Sequence, residues 1–90
     1  MNLAWRIEYD PSALGDLRHI DRRMAQRIVD YMDKRVAMMD NPRTLGKALK
    51  GGFGDFWRYR VGDYRVICSI EDEKLMVLVV RVGHRSDVYR

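Results

Sequence analysis

The sequence predicts an α+β domain of two layers: a strand, two helices, then a three-stranded antiparallel meander, with the helices packed on one face of the sheet. Three observations carry this expectation. Apolar and polar residues alternate in "LAWRIEY" (3–9) and again through 56–83, which is the two-residue period of strands. Between those stretches, apolar residues recur at helical spacing. Asp10-Pro11 and Asn41-Pro42 punctuate the changes of period. Ninety residues make one domain, 1–90, with no repeat, low-complexity segment or linker.

Each element has its own local reason. In 3–9, Leu3, Trp5, Ile7 and Tyr9 share one face, and Ala4, Arg6 and Glu8 the other. Asp10 is a capping acid and Pro11 suits the first helical position, so a helix starts there, with Ala13, Leu14, Leu17 and Ile20 on its apolar side. Asp21 predicts a second cap. Met24, Ala25, Ile28, Val29, Met32, Val36 and Met39 then form a core stripe in which methionine fills gaps. Arg23, Gln26, Arg27, Asp30, Asp33 and Lys34 face water, with Asp30 in reach of Lys34 one turn on. Asn41-Pro42 ends the helix. The segment 43–55 reads as a glycine-rich link; "KGGFGD" lacks the Gly-Lys-Ser/Thr ending of a phosphate loop, and no helix follows it. Strands are expected at about 56–61, 64–70 and 75–83, joined by Gly62-Asp63, a two-residue hairpin loop, and by "EDEK" (71–74).

Composition narrows the function. No apolar run approaches the roughly 20 residues of a membrane span. "MNLAWRIEYD" is not a signal peptide, and the single cysteine, Cys68, fits a reducing cytoplasm. One cysteine and two distant histidines, His19 and His84, argue against a metal cluster, and nothing calls for a cofactor. The net charge is +4, and residues 1–42 are balanced, so all the excess lies in 43–90. Such asymmetry points to an anionic partner, nucleic acid first.

The hairpin "FWRYRVGDYRV" (56–66) concentrates that charge. With Gly62-Asp63 as the turn, Arg60 faces Arg65 and Arg58 faces Ile67. Trp57, Tyr59, Val61, Tyr64, Val66, Cys68 and Ile70 then lie under the helices as core, and Arg58, Arg60 and Arg65 share the open face. Two guanidinium groups about 6 Å apart repel by roughly 0.7 kcal/mol in water and about 3 kcal/mol in a half-buried cleft. A bridging phosphate turns that repulsion into attraction, and arginine's planar fork suits it. Gly83 is expected to let the chain turn, so that His84, Arg85 and Tyr89 fold over the same face. Arg81, by parity, points to the helix side or the sheet edge.

"WRYRVGDYRVICSI", followed by "VLVVRVGHRSDVYR" and preceded by "ALKGGFG", resembles the RelE/ParE superfamily of type II toxin–antitoxin toxins, and its RelE branch in particular. The likeness covers nearly the whole chain. It implies a ribosome-dependent endoribonuclease that cuts messenger RNA in the decoding site without metal. The messenger's own 2′-hydroxyl attacks the adjacent phosphate, leaving a cyclic phosphate and a free 5′-hydroxyl. The family's paired basic residues fall on Arg58 and Arg60, its third-strand arginine on Arg65, the arginine after the last strand on Arg85, and the C-terminal tyrosine on Tyr89. The resemblance also implies a cognate antitoxin, and a toxin–antitoxin hetero-oligomer that binds its own promoter DNA.

Two departures shape the expected chemistry. The paired basic residues are often lysines, but both are arginines here, which do not give up a proton near neutrality. They suit charge stabilisation, leaving proton transfer to Tyr89 or His84. A basic residue on the first helix of some members is Gly15 here, which weakens the expected grip on ribosomal RNA. Three alternatives stand beside this reading: a ParE-like toxin that blocks DNA gyrase, a non-catalytic nucleic-acid-binding domain, and a module whose arginines pair with an acidic protein segment.

Overall fold

The structure is a computed structural model and describes residues 4–49 and 56–85. The first strand, β1 (Arg6–Tyr9), leads into α1 (Pro11–Arg18) and α2 (Arg22–Tyr31). Both helix starts are fixed as their acids predict. The Asp10 carboxylate accepts from the Ser12 N–H at 3.0 Å, and Asp21 accepts from Arg23 and Met24 at 3.1 and 3.3 Å. Asp30 meets Lys34 at 3.8 Å.

The second helix does not continue as an α-helix to Met39. It widens into a π-helical turn over Met32–Val36, closed by the Ala37 N–H donating to the Met32 carbonyl at 2.9 Å. Ile28, Met32 and Val36 are fully buried, so the wide turn keeps the apolar stripe on the sheet.

A 3₁₀ turn at Pro42–Thr44 follows, then a short strand, β2 (Lys47–Ala48). The sequence reading has a bare link here; residues 50–55 of that link lie outside the described residues. The meander comes next: β3 (Phe56–Val61), β4 (Tyr64–Glu71) and β5 (Met76–His84). Gly62 turns the hairpin at φ +60°, with Asp63 outside the left-handed region, the pattern of a II′ turn. The sheet runs β1-β5-β4-β3-β2. β1 lies parallel to β5, and the other pairs are antiparallel.

The core lies between the helices and one sheet face. Ala13, Ile28, Met32 and Val36 meet Tyr59, Val61, Val66, Cys68, Ile70, Val77, Val79 and Val82. Strict alternation from Val77 and Val79 would put Arg81 into that core. A bulge prevents it: Ile67 pairs with Arg81 and Cys68 with Val79, so Val80 is extra and Val82 takes the core position. Arg81 instead grips Asp16 of α1 at 2.8 and 3.2 Å, while the Val82 N–H donates to the same carboxylate at 2.8 Å. Asp16 thereby ties α1 to β5 where β1 has ended. Among the described residues, no helix is long and apolar enough to cross a membrane.

Candidate functional site

The hairpin register places its arginines as the alternation requires. Arg60 lies opposite Arg65, Arg58 opposite Ile67, Tyr59 opposite Val66 and Val61 opposite Tyr64. Tyr59 is fully buried, with its hydroxyl donating to the Pro42 carbonyl at 2.7 Å. Trp57 is half-buried and its indole N–H donates to the Leu45 carbonyl at 2.7 Å. With both aromatics anchored inward, Arg58, Arg60 and Arg65 come together in one cleft of about 220 Å³, completed by Gly46, Lys47 and Tyr31.

This cleft lies toward the sheet edge. β2 covers β3 only at Trp57 and Arg58, so the edge beyond is flanked by Gly46 and by Tyr31 of α2. Gly46 has φ +78°, and a Cβ there would stand 2.3 Å from the Arg58 carbonyl and 2.9 Å from the Tyr59 ring. Only glycine lets the loop press this close to the arginine strand. Arg60, exposed, also borders a second groove of about 440 Å³ shared with Arg27, Asp30, Tyr31, Lys34 and Arg35.

Among the described residues, four cationic side chains and no carboxylate line the first cleft. Such a set attracts a phosphodiester, and its guanidinium groups can offset charge that builds on phosphorus. None of the arginines can act as a base. Tyr31 is no base either: burial holds its phenol above the ordinary value, with the Arg35 guanidinium pulling the other way.

The chain after β5 departs from expectation. Gly83 stays in the strand, opposite Arg65, and His84 still pairs with Tyr64. No turn occurs at Gly83. The His84 ring packs edge-on against Tyr64, centroids 5.7 Å apart. That puts it on the parity of the core face rather than over the arginine cleft. Arg85 does come back to the hairpin: its N–H donates to the Asp63 carbonyl at 2.9 Å, and its carbonyl accepts from Arg65 Nη1 at 2.9 Å. Tyr89 lies outside the described residues. Among the described residues, no three of His, Cys, Asp and Glu gather as a metal site.

Lys47 and Tyr31 are the site residues that sequence reasoning misses. Lys47 sits on a strand of two residues, too short to show alternation. The signal for Tyr31 was present but weak: it is an aromatic on the flank of the α2 stripe, four residues before Arg35.

Comparison with known proteins gives a consistent set. Residues 7–89 match the family described as the ParE toxin of the type II toxin–antitoxin system parDE. Toxin RelG of Mycobacterium tuberculosis is 27% identical over 88 residues, covering 98% of this chain and 99% of that protein. The mRNA interferase toxin RelE of Escherichia coli is 28% identical over 91 residues, covering 97% of this chain and 92% of the relative. Among solved structures, the toxin–antitoxin complex RelBE2 of M. tuberculosis contains a chain that superposes with a TM-score of 0.84 at 25% identity, covering 97% of this chain and 98% of that one.

Proposed function

Because the chain belongs to the RelE/ParE family of type II toxin–antitoxin toxins, we propose that it is a messenger-RNA endoribonuclease acting in the decoding site of the ribosome. The observation that carries this reading is the cleft in which Arg58, Arg60, Arg65 and Lys47 converge, with no acid among its described residues. Relatives named as mRNA interferases support the same direction. The 2′-hydroxyl of one nucleotide loses its proton and attacks the adjacent phosphorus. The bond to the 5′-oxygen of the next nucleotide breaks, and that oxygen takes up a proton. The products are a cyclic phosphate and a free 5′-hydroxyl.

In this reading Arg58, Arg60, Arg65 and Arg85 hold the phosphate and offset the charge of the transition state. Arg65 does so from a fixed position, since its Nη1 is held on the Arg85 carbonyl. Tyr89 becomes the first candidate for proton transfer, because the His84 ring is engaged with Tyr64. Arginine supplies the positive charge that a metal supplies in other nucleases. A cognate antitoxin is the expected partner, as solved relatives are toxin–antitoxin complexes. We place the pair in the cytoplasm, binding its own promoter DNA as an assembly.

The test is to map messenger ends on programmed ribosomes. Wild type should cut within the decoding-site codon and leave a cyclic phosphate. Arg65→Ala should lower kcat about 100- to 1,000-fold, and Tyr89→Phe about 100- to 10,000-fold. Cleavage by both variants at the wild-type rate refutes the site assignment. The family description itself names ParE, which keeps a gyrase-directed toxin as the second reading. Trapped gyrase–DNA complexes, with uncut messenger, would establish it instead.

A further inference from the structure

Tyr31 borders both basic clefts and belongs to neither strand of the arginine hairpin. Its ring is half-buried and leans on Tyr59 at 6.3 Å between centroids, tilted by 59°. Tyr59 cannot yield, being fully buried and hydrogen-bonded to Pro42, so Tyr31 stands on a rigid support. The Arg35 guanidinium lies over the Tyr31 ring at 5.8 Å from its centroid, on an exposed side chain carried by the π-helical turn. A neutral aromatic face capped by a movable, planar cation is a slot for another planar π-system. Nucleic-acid bases stack on both tyrosine and arginine planes.

The charge pattern says what runs past the slot. One cleft holds Arg58, Arg65 and Lys47, the other Arg27, Lys34 and Arg35, and Arg60 faces both. The one acid among their described residues, Asp30, is already occupied by Gln26 at 3.0 Å and Lys34 at 3.8 Å. Cations on both sides of an aromatic step match successive phosphates on either side of a base, which fits single-stranded RNA.

We propose that Tyr31 and Arg35 form a base-stacking clamp that seats a nucleotide next to the scissile phosphate, with Arg60 bridging the phosphates on its two sides. The clamp deepens the reading of the arginine cleft as an RNA site and rests on RNA being its ligand. Stacking tolerates any base. The clamp therefore sets how firmly the messenger is held and not which codon is cut.

The experiment uses RNA with 2-aminopurine, whose fluorescence is quenched by stacking, both as a free oligonucleotide and as an uncleavable decoding-site codon on ribosomes. Wild type and Tyr31→Phe should quench it in at least one setting. Tyr31→Leu should bind about 5- to 100-fold more weakly with quenching lost. On cleavable messenger, Tyr31→Leu should raise KM across all codons while leaving the pattern of cut sites unchanged. Should Tyr31→Leu fail to fold, the wild-type chain is cross-linked to 4-thiouridine RNA, and adducts must fall on Tyr31 or Arg35. Quenching absent in both settings, quenching unchanged in Tyr31→Leu, or adducts confined elsewhere would overturn the clamp. If wild type cuts messenger while Tyr31 proves irrelevant, the nuclease reading stands and the clamp falls. Tyr31-dependent quenching without cleavage gives the reverse.

Discussion

Two tyrosines, Tyr9 and Tyr59, show how differently one hydroxyl can act. Both phenols are pushed above their ordinary value, first by burial. The Tyr59 hydroxyl is paired with the Pro42 carbonyl, whereas that of Tyr9 is buried with no hydrogen-bond partner among the described residues. Tyr59→Phe strands a carbonyl and should cost about 1–3 kcal/mol. Tyr9→Phe removes an unmatched donor and should be neutral or stabilising. Urea titration of both variants at neutral pH checks the contrast. The pH dependence follows from the same residues. Their folded pKa values are raised, so in alkali the unfolded chain ionises first. Their contribution is complete below about pH 10, the unfolded phenol value, and is lost as pH rises through the folded values. The buried Cys68 thiol is shifted upward by burial in the same sense. Thermal melts should therefore begin to decline above about pH 9, the unfolded thiol value, and fall further above about pH 10, less steeply in Tyr9→Phe; an equal decline in that variant contradicts the assignment.

The loop between α2 and β3 is the element on which the site depends. It is tied down by aromatic donors: Trp5 to the Asp40 carbonyl at 3.2 Å, Tyr59 to Pro42 and Trp57 to Leu45. Arg43 adds a two-pronged bond to Asp72 on the β4–β5 turn, 2.9 Å on each side, which holds that carboxyl below its usual range. Gly46 then lies against β3 in a left-handed conformation. Gly46→Ala meets both the φ penalty and a backbone clash, and should cost at least about 1–3 kcal/mol, visible in the denaturation midpoint. An unchanged midpoint would mean that the loop does not press on β3. This element also marks where sequence reading runs out. Alternation and a Gly-Asp turn made the hairpin and its arginine row legible, because both are local signals. β2 was not legible, since two residues carry no period. The π turn was hidden because Ile28, Met32 and Val36 fit an α-helical stripe equally well. His84 was misplaced because Gly83 was read as a turn, whereas pairing with Arg65 keeps it in the strand, which only the partner strand reveals. Lys47 joins the cleft through tertiary placement alone.

At the scale of the whole molecule, β1 is the feature no local pattern could assign, because a strand's alternation does not name its neighbour. It runs parallel to β5, pairing Arg6 with Met76 and Tyr9 with Val79, and α1 packs over β5 as well. The first and last strands thus sit side by side while everything between them is looped out. Such distant pairing is slow to form, and it imposes an order on biosynthesis. A nascent chain extruded through β4 has neither a neighbour for its first strand nor a floor for its first helix. Arrested chains from which β5 has yet to emerge should be cut readily by protease, and a spacer that releases β5 should make them resistant. A toxin wired in this way has no complete fold until its final strand slots into place beside its first.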